Sequence, residues 1–181
     1  MHKIMIIRHA EKHQHGSHGH GVTEDGRPAR HELTVQGWQR AAALVRFFVP
    51  AGAAQKHSAI QTPRAIFASN ATRQSPSLRA MHTSGPLAGE LGLAVDHDYA
   101  EGEEEALAAA ALAALSPVLI VWHHGRIPHL ARAIAGEGIG CPARWPDARF
   151  DVVWILERGA QVWTFSQVAQ RLLPGDGSGV I

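Results

Sequence analysis

The sequence predicts an α/β fold, in which short strands alternate with helices along the chain. Short apolar runs alternate with segments of helical length and periodicity. The runs at 4–7 and 118–121 consist of Ile, Met, Leu and Val alone, as expected for strands that are buried on both faces of a sheet. With 181 residues, the chain 1–181 has the length of one domain, which can fold without a disulfide or a structural metal.

In the first half of the chain, the pattern predicts two helices separated by a strand. Thr34 can cap a helix over Val35–Phe48, whose apolar residues recur at helical spacing. Residues 13–32, rich in His and Gly, form a long loop between the first strand and this helix. A strand at 65–68 and a polar turn lead into a second helix at 77–91.

The second half of the chain continues the alternation. A short strand at 93–95 precedes an Ala-rich helix at 103–115, whose first turn carries the acidic residues that favour a helix start. A further helix at 127–135 follows the second buried strand. Residues at about 151–165 predict a C-terminal hairpin at the sheet edge, which is a candidate surface for a homodimer. We expect the Gly-rich tail from residue 174 onward to fray.

Composition and charge exclude several classes of partner. The net charge of +1 gives no reason to expect nucleic acid or an acidic membrane. Cys141 is the single cysteine, so an internal disulfide is excluded and a reducing cytoplasm is the expected compartment. The apolar run at 4–7 is too short for the core of a signal peptide, and no stretch reaches the roughly 18–20 apolar residues of a membrane span. We therefore expect a soluble cytoplasmic protein.

Histidines and arginines follow the predicted strands at the points where ligands bind in α/β sheets. Arg8 and His9 follow the first strand, His123 and His124 follow the second buried strand, and Arg79 lies near a helix start. Arginine matches phosphoryl oxygens bidentately and keeps its charge. A neutral imidazole can attack phosphorus to form a phosphoramidate, which water then hydrolyses. The residues therefore predict a phosphate site at this edge of the sheet.

Four segments that follow one another along the chain carry a resemblance to a known family. They are Arg8-His9-Ala10-Glu11, Leu33-Thr34-Val35-Gln36-Gly37, Arg79-Ala80-Met81-His82-Thr83 and the strand with its His-Gly end at 118–125. They resemble the motifs of the histidine phosphatase superfamily, also called phosphoglycerate mutase-like, of the histidine acid phosphatase branch 1 type. Any one motif is weak, whereas four in the correct order are specific. The resemblance implies a three-layer α/β/α sandwich with a mostly parallel central sheet, and catalysis without a cofactor.

The resemblance also implies a role for individual side chains. His9 becomes the phosphorylated nucleophile, and Arg8 and Arg79 become phosphate ligands. His124, the histidine that precedes a glycine, becomes the second catalytic histidine. His123 occupies a position that is commonly a small polar residue, so it is left out of the site.

Many family members place a carboxylic proton donor before the second histidine. The acidic stretch 98–105 offers several carboxylates here, and Glu103 is our candidate among them. Arg73 is an alternative to Arg79 as a phosphate ligand, although the Ala and Thr that follow Arg79 favour Arg79. We expect Arg40 to be an ordinary residue of the helix surface.

We therefore expect a metal-independent phosphohydrolase that acts through a phosphohistidine on His9, with a phosphomonoester or a phosphoprotein as substrate. A mutase is less favoured, because no segment is obviously able to exclude water from the pocket. Two alternatives from other classes stay open. One is a non-catalytic module that binds phosphate. The other is a metal-binding protein that uses His13, His15, His18 and His20, which would otherwise form a mobile rim of the pocket.

Overall fold

The structure is a computed structural model that describes residues 2–13, 20–51, 57–160 and 162–181. Its strands are β1 (His2–Arg8), β2 (Ala65–Ala68), β3 (Val95–Asp96), β4 (Val118–Trp122), β5 (Val152–Arg158) and β6 (Trp163–Ala169). Its helices are α1 (Val35–Phe48), α2 (Arg79–Leu91), α3 (Glu104–Ala113) and α4 (Ile127–Ala135), with a 3-10 turn at Glu137–Ile139. The strands form one sheet in the order β3-β2-β4-β1-β5-β6. β3, β2, β4 and β1 are parallel to one another, and β5 is antiparallel to both of its neighbours, β1 and β6, which confirms the predicted class.

Helices cover both faces of the sheet, and successive side chains of β1 pack against helices on opposite faces. Ile4 and Ile6 belong to a buried cluster with apolar residues of α3 and α4. Met5 and Ile7 point the other way, into a cluster with residues of α1 and α2. All four side chains are at most 1% exposed. This two-sided burial explains why the run has no polar residue, and it makes the fold a three-layer α/β/α sandwich.

The bounds of the elements differ from the predicted ones chiefly at the C-terminal hairpin. The hairpin predicted at about 151–165 is formed by β5 and β6, but β6 continues to Ala169. Polar residues such as Thr164 and Ser166 are exposed on β6 while their neighbours are half-buried, so no apolar run marks the strand. Residue 161 of the predicted hairpin lies outside the described residues. No helix in the described part of the chain combines the length and the apolar character that a membrane crossing requires.

A buried arginine on α1 attaches the C-terminal tail to the body of the protein. Arg40 is 2% exposed, and its Nη2 donates to Glu11 Oε1 at 2.7 Å and to Asp176 Oδ1 at 2.6 Å. Asp176 also accepts hydrogen bonds from the backbone N–H groups of Leu172 and Leu173. The predictions that Arg40 lies on the surface and that the tail frays are therefore wrong. Hydrogen bonds to two carboxylates that are distant in the sequence compensate the energetic cost of burying this guanidinium.

Gly37, in the first turn of α1, lies against the chain that leaves β1. A Cβ atom at Gly37 would lie 2.5 Å from the carbonyl oxygen of Glu11, which is closer than real contacts allow. The same carbonyl accepts a hydrogen bond from Thr34 N at 2.9 Å, so the backbone has little room to move. We expect Gly37→Ala to lower the free energy of unfolding by about 1–3 kcal/mol through overpacking. Urea unfolding measures this change.

Gly89→Ala is the matched control for this prediction. Gly89 is an exposed residue of α2, and a Cβ atom there would meet nothing within 4 Å. Because alanine is the better helix former, this variant should be unchanged or more stable by about 0.5–1 kcal/mol. Equal stability of the two variants would contradict the close approach at Gly37.

Candidate active site

The register between β1 and β4 brings two histidines together. The strands are parallel neighbours, and Arg8 is paired with Trp122 at their ends. His9 and His123 each follow one residue later, and His9 N donates to the carbonyl oxygen of Trp122 at 3.1 Å. The two imidazole rings lie edge to face, with 5.7 Å between their centroids. The carboxyl ends of these two strands therefore form the centre of the candidate site.

A hydrogen bond fixes the tautomer of His9. Its side chain is buried, with 2% of the residue exposed, and Nδ1 lies 2.8 Å from the carbonyl oxygen of Ala10. A carbonyl oxygen only accepts, so Nδ1 carries the proton and Nε2 keeps its lone pair. Burial, followed by the positive charge of Arg8, holds the pKa of His9 well below its usual range. The imidazole is therefore neutral at physiological pH, as an attack on phosphorus requires.

Arg8 has two nitrogen donors that make no hydrogen bond within the described residues. The residue is 1% exposed, and its Nη1 donates to the carbonyl oxygens of Asp147 at 2.6 Å and Arg149 at 3.0 Å. The ring of Phe150 lies against the guanidinium, with its centroid 3.7 Å from Cζ. Nε and Nη2 are buried, and no group in the described part of the chain accepts a hydrogen bond from them. Burial lowers the pKa of Arg8 to about 10, so the group stays charged at neutral pH. Two unpaired donors on a buried cation are costly, and an anionic ligand would satisfy both.

Arg79 adds a second guanidinium from the start of α2. Its three nitrogens donate to the carbonyl oxygens of Glu32 and Arg30 and to the hydroxyl of Ser77, at 3.0–3.1 Å. Its charge contributes to lowering the pKa values of Arg8, His9 and His123, so it belongs to the same cluster. Arg73, the alternative to Arg79, is exposed on the preceding turn.

Thr83 joins the arginine helix to the end of β1. Its Oγ1 donates to the carbonyl oxygen of Arg79 at 2.6 Å and accepts a hydrogen bond from Ala10 N at 2.8 Å. Ala80 and Thr83 are both at most 1% exposed. Thr83 therefore holds Arg79 close to Ala10, the residue after His9. The hydrogen bonds of Thr83 and the burial of Ala80 are physical reasons for an Ala and a Thr in this segment.

The histidine that lies beside His9 is not the one that the motif predicts. The motif predicts His124, but the neighbour of His9 is His123, whose Nε2 lies 2.9 Å from the hydroxyl oxygen of Ser69. His124 instead donates a hydrogen bond from its Nε2 to Asp147 Oδ1 at 2.7 Å, and burial lowers its pKa. The reason is that β4 extends through the buried Trp122, so the register with β1 aligns His123 with His9.

The predicted carboxylate, Glu103, lies at the start of α3. It is exposed, and its side chain accepts a hydrogen bond from Ala100 N at 2.8 Å. The negative charge of its neighbour Glu101 raises the pKa of His123, as does that of Glu104, although burial outweighs both. Ser75 Oγ donates to Glu101 at 3.3 Å. Because Glu104 is buried and held by Arg126, the charge effect favours Glu101 as the candidate carboxylate.

Only part of the His-rich loop lies within the described residues. His13 and His20 are exposed, and their ring centroids are 5.1 Å apart. His15 and His18 lie outside the described residues. Elsewhere in the described chain, Glu104, Glu105 and His129 hold their potential ligand atoms within 4.8 Å of one another. The buried Glu104 already accepts hydrogen bonds from Arg126, Trp122 and Gly102. These bonds give Glu104 a structural role that requires no metal ion.

The burial of His9 makes the stability of the protein depend on pH. Below the pKa of about 6.5 of an unfolded histidine, the unfolded chain binds a proton that folded His9 does not. This favours unfolding, so the contribution of His9 to stability is complete above that pH and is lost as the pH falls. Between about pH 7.5 and about pH 5.5, we expect the stability of the wild type to fall by about 1.4 kcal/mol relative to His9→Gln. Urea unfolding of both proteins at the two pH values measures the difference.

His97→Gln, a substitution on an exposed loop, is the control for this measurement. Urea unfolding of this variant at the same two pH values compares the loss of an exposed imidazole with the loss of the buried one. A pH-independent difference between the wild type and His9→Gln would contradict a neutral, buried His9.

Solved structures share this fold over nearly the whole chain. No protein-family model matches the chain, and no curated protein sequence matches it. The α-ribazole phosphatase from Shigella flexneri is similar over 97% of this chain and 100% of its own, with a TM-score of 0.54 and 16% identity. The mycobacterial glucosyl-3-phosphoglycerate phosphatase in complex with VO3 is similar over 92% and 98%, with a TM-score of 0.56 and 17% identity. The phosphoserine phosphatase from Entamoeba histolytica in complex with 3-phosphoglyceric acid is similar over 96% and 100%, with a TM-score of 0.55 and 14% identity.

All three structures are described as those of phosphatases. The present chain shares their fold over nearly its whole length, which confirms the predicted phosphoglycerate mutase-like α/β/α fold.

Proposed function

We propose that this protein is a metal-independent phosphohydrolase that acts on phosphomonoesters through a phosphohistidine intermediate on His9. The observation that carries the proposal is the pairing of a neutral His9, whose Nε2 lone pair is available, with two buried and unpaired donors of Arg8. A phosphoryl group would satisfy those donors and bring phosphorus to the nucleophile. Arg8 and Arg79 would supply the positive charge that neutralises the phosphate.

In the first step, Nε2 of His9 attacks phosphorus and the bond to the leaving oxygen breaks, which leaves a phosphoramidate on His9. The leaving alkoxide needs a proton, and we assign this transfer to Glu101 in place of Glu103. In the second step, the carboxylate of Glu101 accepts a proton from a water molecule that attacks phosphorus, and the P–N bond breaks. Inorganic phosphate leaves, and neutral His9 and protonated Glu101 are restored. The two arginines stabilise the charge on the phosphoryl oxygens in both steps.

His123 is proposed as the second catalytic histidine in place of His124. If the hydroxyl of Ser69 donates to Nε2 of His123, the other ring nitrogen carries a proton and can donate to a phosphoryl oxygen. Burial lowers the pKa of His123, so the ring is neutral and this tautomer is available at physiological pH. The short distance between the two rings supports a shared role at one phosphoryl group.

The structural neighbours support a phosphatase over the other functions considered. Each of the three is described as a phosphatase, and one is in complex with VO3, an anion that resembles a phosphoryl group in transfer. A module that only binds phosphate would need the arginines but not the neutral, oriented His9. A mutase would have to keep water from the phosphohistidine.

The proposal is tested with p-nitrophenyl phosphate between about pH 5 and about pH 8, the range in which histidines titrate, with a chelator present. We expect nitrophenol release that is unaffected by the chelator. Turnover that stops with the chelator and returns with a divalent metal would contradict the metal-independent mechanism. Binding of inorganic phosphate without turnover of any ester would favour the non-catalytic module.

A further inference from the structure

A groove opens beside the proposed phosphate site. Its volume is about 900 Å³, and α1, the segment at 148–151 and the tail at 173–177 line it. Phe150 separates the two regions, because it lines the groove and its ring lies against Arg8, with its centroid 6.3 Å from that of His9. A volume of this size is within the range of about 300–1,000 Å³ in which proteins bind small molecules.

The carboxylates that line the groove are already engaged with protein donors. Glu11 accepts from Arg40 through both oxygens, at 2.9 and 3.1 Å from Nε. Asp176 accepts from Arg40 and from two backbone N–H groups. Asp151 accepts from Arg149 at 2.7 Å and from Gly177 N at 2.6 Å. The oxygens of these three carboxylates are therefore engaged in hydrogen bonds with Arg40, Arg149 and backbone N–H groups.

Lys12 is the cation of the groove that lacks a carboxylate partner among the described residues. It is half-buried, it lines the groove, and it follows directly after the motif that contains His9. Burial, then the charges of Arg8 and Arg79, lower its pKa, whereas the negative charges of Asp147 and Glu101 oppose this. Lys12 thus lines the groove and experiences the positive charge of the two arginines of the proposed phosphate site. An anion in the groove would relieve the crowding of positive charge.

We infer that the groove binds the leaving group of a small-molecule phosphomonoester, and that Lys12 binds a second anionic group on that molecule. The inference rests on the proposed function, and it narrows the substrate class to phosphomonoesters that carry a further carboxylate or phosphate. Gln36 and Gln39, which also line the groove, add amide donors for the same acceptor-rich group. Lys12 is thus assigned as a specificity-determining residue.

Three esters of matched length test the inference: hexyl phosphate, the phosphate ester of 6-hydroxyhexanoate, and hexane-1,6-diol bisphosphate. The wild type should hydrolyse the two esters with a second anionic group with about tenfold higher kcat/KM than hexyl phosphate, the effect of one charge-assisted hydrogen bond. Comparison of the carboxylate with the bisphosphate shows which anion the groove prefers. Release of inorganic phosphate measures all three rates.

In Lys12→Gln, the ratio of kcat/KM between the esters with a second anionic group and hexyl phosphate should fall to nearly one. Arg46→Gln is the matched control, because it removes one positive charge from an exposed position in the last turn of α1, outside the groove, and should retain the preference. Equal hydrolysis of the three esters by the wild type, or a preference that persists in Lys12→Gln, would overturn the inference and leave the proposed function intact. A wild type that hydrolyses none of the esters, nor p-nitrophenyl phosphate, would overturn both.

Discussion

Replacing His9 with alanine is expected to lower kcat/KM for p-nitrophenyl phosphate by at least about 10⁴-fold, as the loss of a covalent nucleophile does in other enzymes. The arginines would still bind phosphate in this variant, but no group would be left to accept the phosphoryl group. Rapid acid-free quenching of the wild type with a labelled phosphomonoester should trap label on the protein, and His9→Ala should trap none. Initial rates and the bound label together measure the nucleophilic role.

The control for His9→Ala is His97→Ala, which removes an exposed imidazole from a loop outside the site. Its rate and its labelling should match those of the wild type. Comparable turnover by His9→Ala, or label that persists in it, would place the nucleophile elsewhere. A circular dichroism spectrum and a urea transition show whether the variant is folded, so a loss of folding is not mistaken for a loss of chemistry.

Replacing His123 with alanine is expected to lower kcat by about 10²–10³-fold, the usual cost of removing one donor to the developing charge of a transition state. Replacing His124 in the same way should lower it by less than about tenfold, because this side chain pairs with the exposed Asp147 at the mouth of the site. The two variants are matched in chemistry and differ by one position in the chain. Initial rates with p-nitrophenyl phosphate at one pH compare them directly.

The opposite order of effects would restore the assignment that the motif predicts. If His124→Ala is the more impaired variant, the structural proximity of His123 to His9 has no catalytic meaning. Equal and small effects would leave His9 and the arginines as the catalytic groups and would remove both neighbouring histidines from the mechanism.

Most of the fold could be predicted from local patterns. The strands that form β1 and β4 have continuous apolar sequences because both of their faces are buried, and such runs have few other interpretations. The cap of α1 was predictable for a similar reason, since Thr34 accepts the hydrogen bond from Gly37 N that its position suggests. The extent of β6 was not predictable, because one of its faces is exposed and carries polar residues.

The side chains in and around the proposed site likewise differ in whether the sequence predicts their positions. Arg8 and His9 could be recognised because they follow a buried strand directly, in a motif with a specific order. The partners of Arg40 could not, because Glu11 and Asp176 lie in segments that only folding brings together. An isolated arginine in a helix has no local signal that separates a buried ion pair from a solvated side chain.

The sequence by itself determined the α/β class, the strand that presents Arg8 and His9, and the expectation of a phosphate site, because these depend on local burial and on residues adjacent in the chain. The tertiary structure decided that His123 lies beside His9, that the charge of Glu101 acts on His123 and that Lys12 lines the groove. The physical reason is that register between strands is set by packing across the sheet, and a shift of one residue exchanges His123 for His124. No periodic pattern in the sequence predicts that register.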